Sequence, residues 1–210
     1  DTLCEYIEEQ GAKCFRGSEN DIIKRFYNAN EKFQYQHILQ IDGDDPLIPP
    51  EFIDQVVEHL LKMRVENAVA VTEGLPFGLN IKAFSKNALS EVYDKYLTEN
   101  NDTGFGLYFL DDSLCNVDRL KFHFDEPFQE KMRVTLDYAE DLTVIETVLN
   151  ELYTDPKKNY SLSRLFRVFE KFPELTDVNH FRMSENNKRT KEKIDLEYQK
   201  GNSVGKIDYC

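Results

Sequence analysis

The chain has 210 residues, with 26 basic and 39 acidic side chains and a formal net charge of -13 at pH 7. This charge disfavours nucleic acid and anionic membrane surfaces as partners, because both would be repelled over most of the protein. An apolar fraction of 40% predicts a globular chain with one substantial core. No stretch is typical of a signal peptide or of a long apolar span, so we expect no membrane association.

The predicted elements alternate between helices and strands. Helical spacing of apolar residues predicts helices over residues 2–10, 51–63, 85–97, 139–152 and 161–172, and one that begins after Asp21. Apolar runs and alternating patterns predict strands over residues 12–15, 38–41, 68–71, 120–124 and 133–137, and one within residues 75–84. The order strand, helix, strand over residues 38–71 implies a right-handed crossover and a parallel strand pair. The chain is therefore predicted to be an α/β protein, with a main domain over residues 1–155 and a helical extension over residues 156–210.

The four cysteines, Cys4, Cys14, Cys115 and Cys210, are scattered without a Cys-x-x-Cys pair. This spacing favours reduced thiols and a cytoplasmic location. Cys14 and Cys115 have apolar neighbours, so we expect both to be small core residues.

Acidic side chains follow two of the predicted strands. Asp42 and Asp44 come directly after the strand at residues 38–41, with Gly43 between them, and Asp137 ends the strand at residues 133–137. In open α/β sheets, ligands bind at the carboxyl ends of the strands. Two or three carboxylates without clustered His or Cys suit Mg²⁺, which binds oxygen ligands and is usually completed by substrate phosphates.

Helix capping is the alternative role for such aspartates. We favour capping for Asp45 and Asp141, and we favour a functional role for the pair Asp44 and Asp137. Because Mg²⁺ bound by such a pair is usually completed by substrate phosphates, the pair Asp44 and Asp137 indicates nucleotide chemistry.

Four segments resemble motifs of one enzyme family. Residues 43–48 read Gly-Asp-Asp-Pro-Leu-Ile and are similar to the Gly-Asp-x-Pro-Leu-Ile motif of the sugar-acid cytidylyltransferases, which include acylneuraminate and 3-deoxy-manno-octulosonate cytidylyltransferases. Residues 15–26, 75–81 and 133–142 resemble segments of the branch of spore-coat polysaccharide biosynthesis protein F. Those segments read Arg-Gly-Ser-Glu-x-Asp-Val-Leu-x-Arg, Pro-x-Gly-Leu-Asp-Val and Arg-x-Thr-x-Asp-x-Pro-Glu-Asp.

The resemblance implies a fold and a reaction. The fold would be a three-layer, mostly parallel, Rossmann-like nucleotidyltransferase sheet. In the reaction, a hydroxyl of a sugar acid attacks the α-phosphorus of CTP, which releases pyrophosphate and leaves a CMP-sugar for surface polysaccharide biosynthesis. The resemblance also implies Mg²⁺ as the cofactor and a possible homodimer.

The resemblance assigns roles to individual residues as well. Asp44 and Asp137 would be the catalytic ligands of Mg²⁺, and Arg133 would neutralise substrate charge. The remaining implied residues bind the two substrates: Arg16, Ser18, Asp42 and Gly43 the nucleotide, and Gly78 and Asn80 the sugar.

The sequence also departs from the family pattern. The family normally begins with a strand and a Gly-Ser-x-Arg loop that binds the CTP phosphates, and no such segment precedes Asp1, so we expect the sheet to lack its N-terminal strands. Asn80 and Lys82 stand where acids are common, and Ala139 replaces a proline.

Two alternatives stay open at this point. Asp42-Gly43-Asp44 also fits the Asp-x-Asp signature of metal-dependent nucleotide-sugar glycosyltransferases. The chain could instead be an inactive, truncated interaction domain.

Overall fold

The computed structural model describes residues 1–154 and 160–207. In this part of the chain the α-helices are α1 (Thr2–Glu9), α2 (Ile22–Phe33), α3 (Pro50–Lys62), α4 (Lys86–Lys95), α5 (Ala139–Leu152), α6 (Leu162–Lys171), α7 (Leu175–Asn179) and α8 (Phe181–Lys193). The strands are β1 (His37–Gln40), β2 (Ala68–Glu73), β3 (Lys82–Ser85), β4 (Asn116–Lys121), β5 (Leu196–Lys200) and β6 (Ser203–Ile207). Two short 3-10 helices cover Phe105–Leu110 and Gln129–Lys131. None of the helices in these residues is long and apolar enough to cross a membrane.

A four-stranded mixed sheet with the order β1-β3-β2-β4 forms the centre of the fold. β2 and β4 are parallel, whereas β3 is antiparallel to both β1 and β2. The predicted parallel pairing of residues 38–41 with residues 68–71 is therefore wrong, because β3 lies between these strands. The chain turns back after β2, where the backbone N–H of Thr72 donates to the carbonyl of Ile81 at 3.0 Å and the Ile81 N–H donates to the Thr72 hydroxyl at 2.9 Å.

Helices cover both faces of this sheet and produce three layers. Side chains alternate between the two faces along a strand, so Ala70 and Ala83 point to one face while Val69 and Phe84 point to the other. The first face packs against α3, α5 and α6, and the second against α2, α4 and the hairpin β5-β6. The α/β prediction is confirmed.

Two predicted strands do not form regular strands. Residues 12–15 have no strand partner among the described residues, and the Phe15 ring packs edge-on against Phe33 at a centroid distance of 6.3 Å. Residues 133–137 are extended, but only Arg133 forms a bridge, with Phe77. Both segments have the composition of a strand, but neither pairs with any of the six strands in residues 1–154 and 160–207.

The N-terminal cysteines differ from the prediction. Cys4 and Cys14 form a disulfide, with their Cα atoms 5.7 Å apart. Gly11 adopts a φ of +80° after α1 and reverses the chain, which brings Cys14 back beside the helix. The prediction that Cys14 is a reduced core residue is therefore wrong. Cys115 is buried as predicted, and burial raises the pKa of its thiol to about 12.

The C-terminal segment contributes to both cores. Leu165 and Phe169 of α6 are fully buried in the core beneath α3 and α5, while Leu196 and Tyr198 of β5 are buried in the core on the other face. The Ser161 side chain caps α6 as predicted. The predicted domain boundary at residue 155 lies outside the described residues.

Candidate active site

Three segments meet at one edge of the sheet: residues 42–45 after β1, residues 77–80 before β3, and residues 133–137 before α5. The carbonyl of Asp44 accepts a hydrogen bond from the Leu136 N–H at 2.8 Å, and the carbonyl of Phe77 accepts one from the Val134 N–H at 2.9 Å. Residues 133–137 are thus held between the other two segments. This brings Asp44 close to Asp137, although the two are distant in sequence.

Gly78 allows the close approach of two of these segments. Its φ is +96°, and a Cβ atom at this position would lie 2.6 Å from the Thr135 backbone nitrogen and 2.7 Å from the Val134 carbonyl carbon. Both the backbone conformation and the available space therefore require glycine. Gly78 shapes the site through its backbone.

The three segments enclose a cleft of about 610 Å³. Five residues predicted for the site line it, namely Asp42, Asp44, Gly78, Asn80 and Asp137. The structure therefore brings together the predicted metal ligands and the predicted sugar-binding residues. Leu110 and Asn186 also line the cleft, and no sequence motif indicated either residue.

The cleft concentrates negative charge. Burial raises the pKa of Asp44, and the carboxylates of Asp137 and Asp42 raise it further. Burial also raises the pKa of Asp45 to about 6, and the neighbouring carboxylates contribute. A cation in the cleft would relieve this repulsion.

The donor atoms fit Mg²⁺. Asp44 and Asp137 supply carboxylate oxygens, and Mg²⁺ is typically bound through one or two carboxylates together with water and substrate phosphates. Within residues 1–154 and 160–207, no group of three or more His, Cys, Asp or Glu side chains is arranged to hold a metal ion. A metal at this site would therefore take its remaining ligands from water and substrate.

Arg133 lies beneath the cleft and does not line it. Its side chain is fully buried, and its Nε and Nη2 atoms donate to the two carboxylate oxygens of Asp141, each at 2.9 Å. Nη2 also donates to Oδ2 of Asp137 at 2.6 Å. Arg133 thus orients the Asp137 carboxylate, and a direct contact with substrate stays a prediction.

Asp141 completes this buried network. Its Oδ2 atom accepts hydrogen bonds from the N–H groups of Asp137 at 3.0 Å and Tyr138 at 2.9 Å, and its Oδ1 atom accepts one from Asn179 at 2.9 Å. Burial alone would raise the pKa of Asp141, but the bonds from Arg133 and the backbone hold it below its ordinary value. The predicted capping role of Asp141 at the start of α5 is confirmed.

Three predicted nucleotide-binding residues lie away from the cleft lining. Arg16 forms an ion pair with Asp1 at 2.9 Å, and the Ser18 hydroxyl accepts a hydrogen bond from the Asp21 N–H at 3.0 Å. Gly43 lies in the exposed turn in which the Asp45 N–H donates to the Asp42 carbonyl at 3.1 Å. Their roles in nucleotide binding stay predictions.

Lys82 lines the cleft but was not predicted as a site residue. It also lines a second cleft of about 360 Å³, which extends toward residues 102–107. Burial lowers the pKa of Lys82 to about 8, and the nearby Asp42 carboxylate opposes this change. One feature of the sequence could have indicated Lys82 as a site residue: it is a basic residue at a position where acids are common in the resembled family.

Comparison with known proteins establishes the family. A family model described as cytidylyltransferase matches residues 1–154. The chain belongs to this family. It is a nucleotidyltransferase, and the family match argues against the glycosyltransferase alternative.

Individual relatives agree with the branch predicted from the motifs. The chain is 32% identical over 139 residues to 3-deoxy-manno-octulosonate cytidylyltransferase of Proteus mirabilis, which covers 63% of this chain and 51% of that protein. It is 23% identical over 186 residues to spore coat polysaccharide biosynthesis protein SpsF of Bacillus subtilis, covering 83% of this chain and 71% of that protein. The chain thus spans about half the length of the first relative and more of the second.

A solved structure shows the same fold. A cytidylyltransferase from Leptospira borgpetersenii superposes with a TM-score of 0.70 at 21% identity, over 84% of this chain and 73% of that chain. The predicted Rossmann-like nucleotidyltransferase fold is confirmed.

Proposed function

We propose that this cytidylyltransferase activates a sugar acid with CTP and Mg²⁺, releases pyrophosphate and forms a CMP-sugar for surface polysaccharide biosynthesis. The main support is the convergence of Asp44 and Asp137 on one cleft. The relatives named for 3-deoxy-manno-octulosonate and for spore-coat polysaccharide support the substrate class and the pathway class.

In this proposal Asp44 and Asp137 would hold Mg²⁺, and the bound ion would supply the charge neutralisation that phosphoryl transfer requires. The chain's own contribution is to keep the two carboxylates in place. The hydrogen bond between Leu136 and Asp44 fixes the spacing of their segments, and Arg133 orients Asp137 from below. Catalysis by positioning of this kind requires no nucleophilic side chain.

The sugar would occupy the part of the cleft lined by Gly78 and Asn80. Asn80 offers an amide that both donates and accepts hydrogen bonds, which suits sugar hydroxyl groups. The hydroxyl that attacks would then lie on the same side of the cleft as the Asp44 and Asp137 carboxylates.

The test measures pyrophosphate release with CTP, Mg²⁺ and either 3-deoxy-manno-octulosonate or N-acetylneuraminate. We expect release by the wild type, its loss on chelation of Mg²⁺, and a decrease in kcat/KM of about 100-fold or more for Asp44→Asn and Asp137→Asn. Asp118→Asn is the matched control, because Asp118 is exposed on β4 and pairs with His59.

Turnover of a UDP-sugar, with no pyrophosphate release from CTP with either acid, would overturn the proposed function. Unchanged kcat/KM in both aspartate variants would remove Asp44 and Asp137 from the metal site. Circular dichroism should show that all three variants are folded.

A further inference from the structure

Lys82 is the basic side chain of the cleft. No other Lys or Arg contributes to the described lining of the main cleft or of the second cleft, and Lys82 lines both. Gln40, Asp42 and Leu110 are also shared by the two linings, so the clefts meet at this point. Lys82 therefore places one positive charge where an otherwise acidic cleft continues toward residues 102–107.

The position of Lys82 is fixed by the sheet. It belongs to the central strand β3 and pairs with Gln40 on one side and Val71 on the other. Residues on regular elements hold a binding group more firmly than residues on loops. The backbone of Lys82 is thus held in place before any ligand binds.

The ammonium group lies against the backbone of Gly106. A Cβ atom at residue 106 would lie 2.4 Å from Lys82 Nζ, so glycine leaves the space that the amine occupies. Among the described residues, Nζ forms no hydrogen bond and no ion pair, although the Asp42 carboxylate is close enough to affect its charge. Lys82 Nζ is also absent from the fully buried polar atoms without a partner, so it is open to the cleft. An anion bound there would form a charge-assisted hydrogen bond with it.

We propose that Lys82 binds the carboxylate of the sugar acid and so selects an anionic acceptor. This inference rests on the proposed function and assigns one side chain to the acceptor. The phosphates of CTP would be held at the Asp44 and Asp137 side through Mg²⁺, whereas Lys82 faces the continuation of the cleft. Lys82 would recognise a negatively charged oxygen beside its ammonium group. Either the carboxylate of the sugar acid or a phosphate group could supply that oxygen.

Binding measurements can separate these two sources. Isothermal titration calorimetry would compare wild type, Lys82→Met and Lys82→Arg with three probes: 3-deoxy-manno-octulosonate, its neutral C1-reduced alcohol, and CTP with Mg²⁺. We expect Lys82→Met to weaken binding of the acid by about tenfold or more, the loss typical of a hydrogen bond to a charged group. Binding of the alcohol and of CTP should change by less than about threefold, and Lys82→Arg should recover part of the acid affinity.

Two further variants test position and surface charge. Gly106→Ala keeps the charge of Lys82 but displaces its amine, so it should also weaken acid binding while leaving CTP binding unchanged. Lys62→Met removes an exposed lysine of α3 and should change nothing.

Several outcomes would overturn the proposal. These are equal acid affinity in wild type and Lys82→Met, no preference of the wild type for the acid over the alcohol, or a loss confined to CTP, which would assign Lys82 to a phosphate. The pyrophosphate assay of the wild type separates this inference from the proposed function. If the wild type turns over a sugar acid and Lys82→Met does so with the same KM, only the role of Lys82 fails.

Discussion

Replacement of Arg133 by methionine should destabilise the protein strongly. The Arg133 side chain is fully buried and forms two hydrogen bonds to Asp141 and one to Asp137. A methionine side chain would fill much of the same space but could not donate a hydrogen bond, which would leave the fully buried Asp141 carboxylate without its counter-charge.

The expected loss of stability follows from leaving the Asp141 carboxylate buried without a positive partner. Loss of one partner of a buried ion pair typically costs about 3–5 kcal/mol, because the other charge stays buried. Asp141 would keep hydrogen bonds from Asp137, Tyr138 and Asn179. We therefore expect Arg133→Met to lower the free energy of unfolding by about 3 kcal/mol, at the lower end of that range.

Urea denaturation provides the measurement, with a double-mutant cycle to isolate the pair. Asp141→Asn should also be destabilising, and the combined variant should lose less stability than the sum of the two single losses by more than about 1 kcal/mol. Arg119→Met is the matched control, because Arg119 forms an exposed pair with Asp112 at 3.7 Å. That control should change stability by less than about 1 kcal/mol.

Two results would refute the reasoning. One is a loss for Arg133→Met no larger than that of Arg119→Met, which would mean that the pair contributes no more than a surface contact. The other is strict additivity in the cycle, which would mean that Arg133 and Asp141 do not interact.

Three further predictions concern stability and use the same denaturation assay. Burial lowers the pKa of Lys82 from 10.5 to about 8, so Lys82→Met should raise the free energy of unfolding at pH 7 by up to about 3 kcal/mol. This gain should shrink as the pH rises from 8 to 10.5, because the folded wild type then releases a proton that the unfolded chain still holds; a constant gain would contradict it. Gly78→Ala should lower the free energy of unfolding by about 3 kcal/mol or more, because it adds backbone strain and a clash. Gly11 has a φ of +80° but open space around it, so Gly11→Ala should lower the free energy of unfolding by only about 1 kcal/mol. Equal losses in the two variants would exclude the clash. Phe169→Ala should lower the free energy of unfolding by about 3–5 kcal/mol, because Phe169 of α6 is fully buried in the main core. The Phe181 side chain is 47% exposed, so Phe181→Ala should lower it by less than about 1 kcal/mol.

Local periodicity predicted most of the helices. The helix predicted over residues 51–63 is observed as Pro50–Lys62, because the spacing of its apolar side chains is an intrinsic property of the segment. Strand pairing could not be predicted in the same way. β3 lies between β1 and β2 because it pairs with both, and its pairing with β2 continues through hydrogen bonds between Thr72 and Ile81. These long-range contacts have no signature in any of the segments alone.

The sequence predicted the carboxylates of the site, but it did not predict the side chains that hold them in position. Strand ends and family motifs indicated Asp44 and Asp137, and the structure places both at one cleft. The role of Arg133 depends on Asp141, which turns back toward it through the first turn of α5. A sequence pattern shows that an arginine is present, but the buried partner that determines its direction becomes visible only in three dimensions.

The distribution of charge around the cleft bears on how the proposed function would bring two anionic substrates into one site. Repulsion between Asp44, Asp42 and Asp137 adds to burial in raising the pKa of Asp44, so this side of the cleft disfavours an anion unless a cation comes with it. A metal-bound nucleotide meets that condition and a free carboxylate does not. At the part of the cleft that Lys82 lines, the ammonium group favours binding of an anion without a metal. In the proposed function, the two charges would orient the CTP phosphates with Mg²⁺ and the sugar-acid carboxylate toward different parts of the cleft, while the attacking hydroxyl lies at the metal side. Exchange of the two anionic groups would place each against the wrong charge.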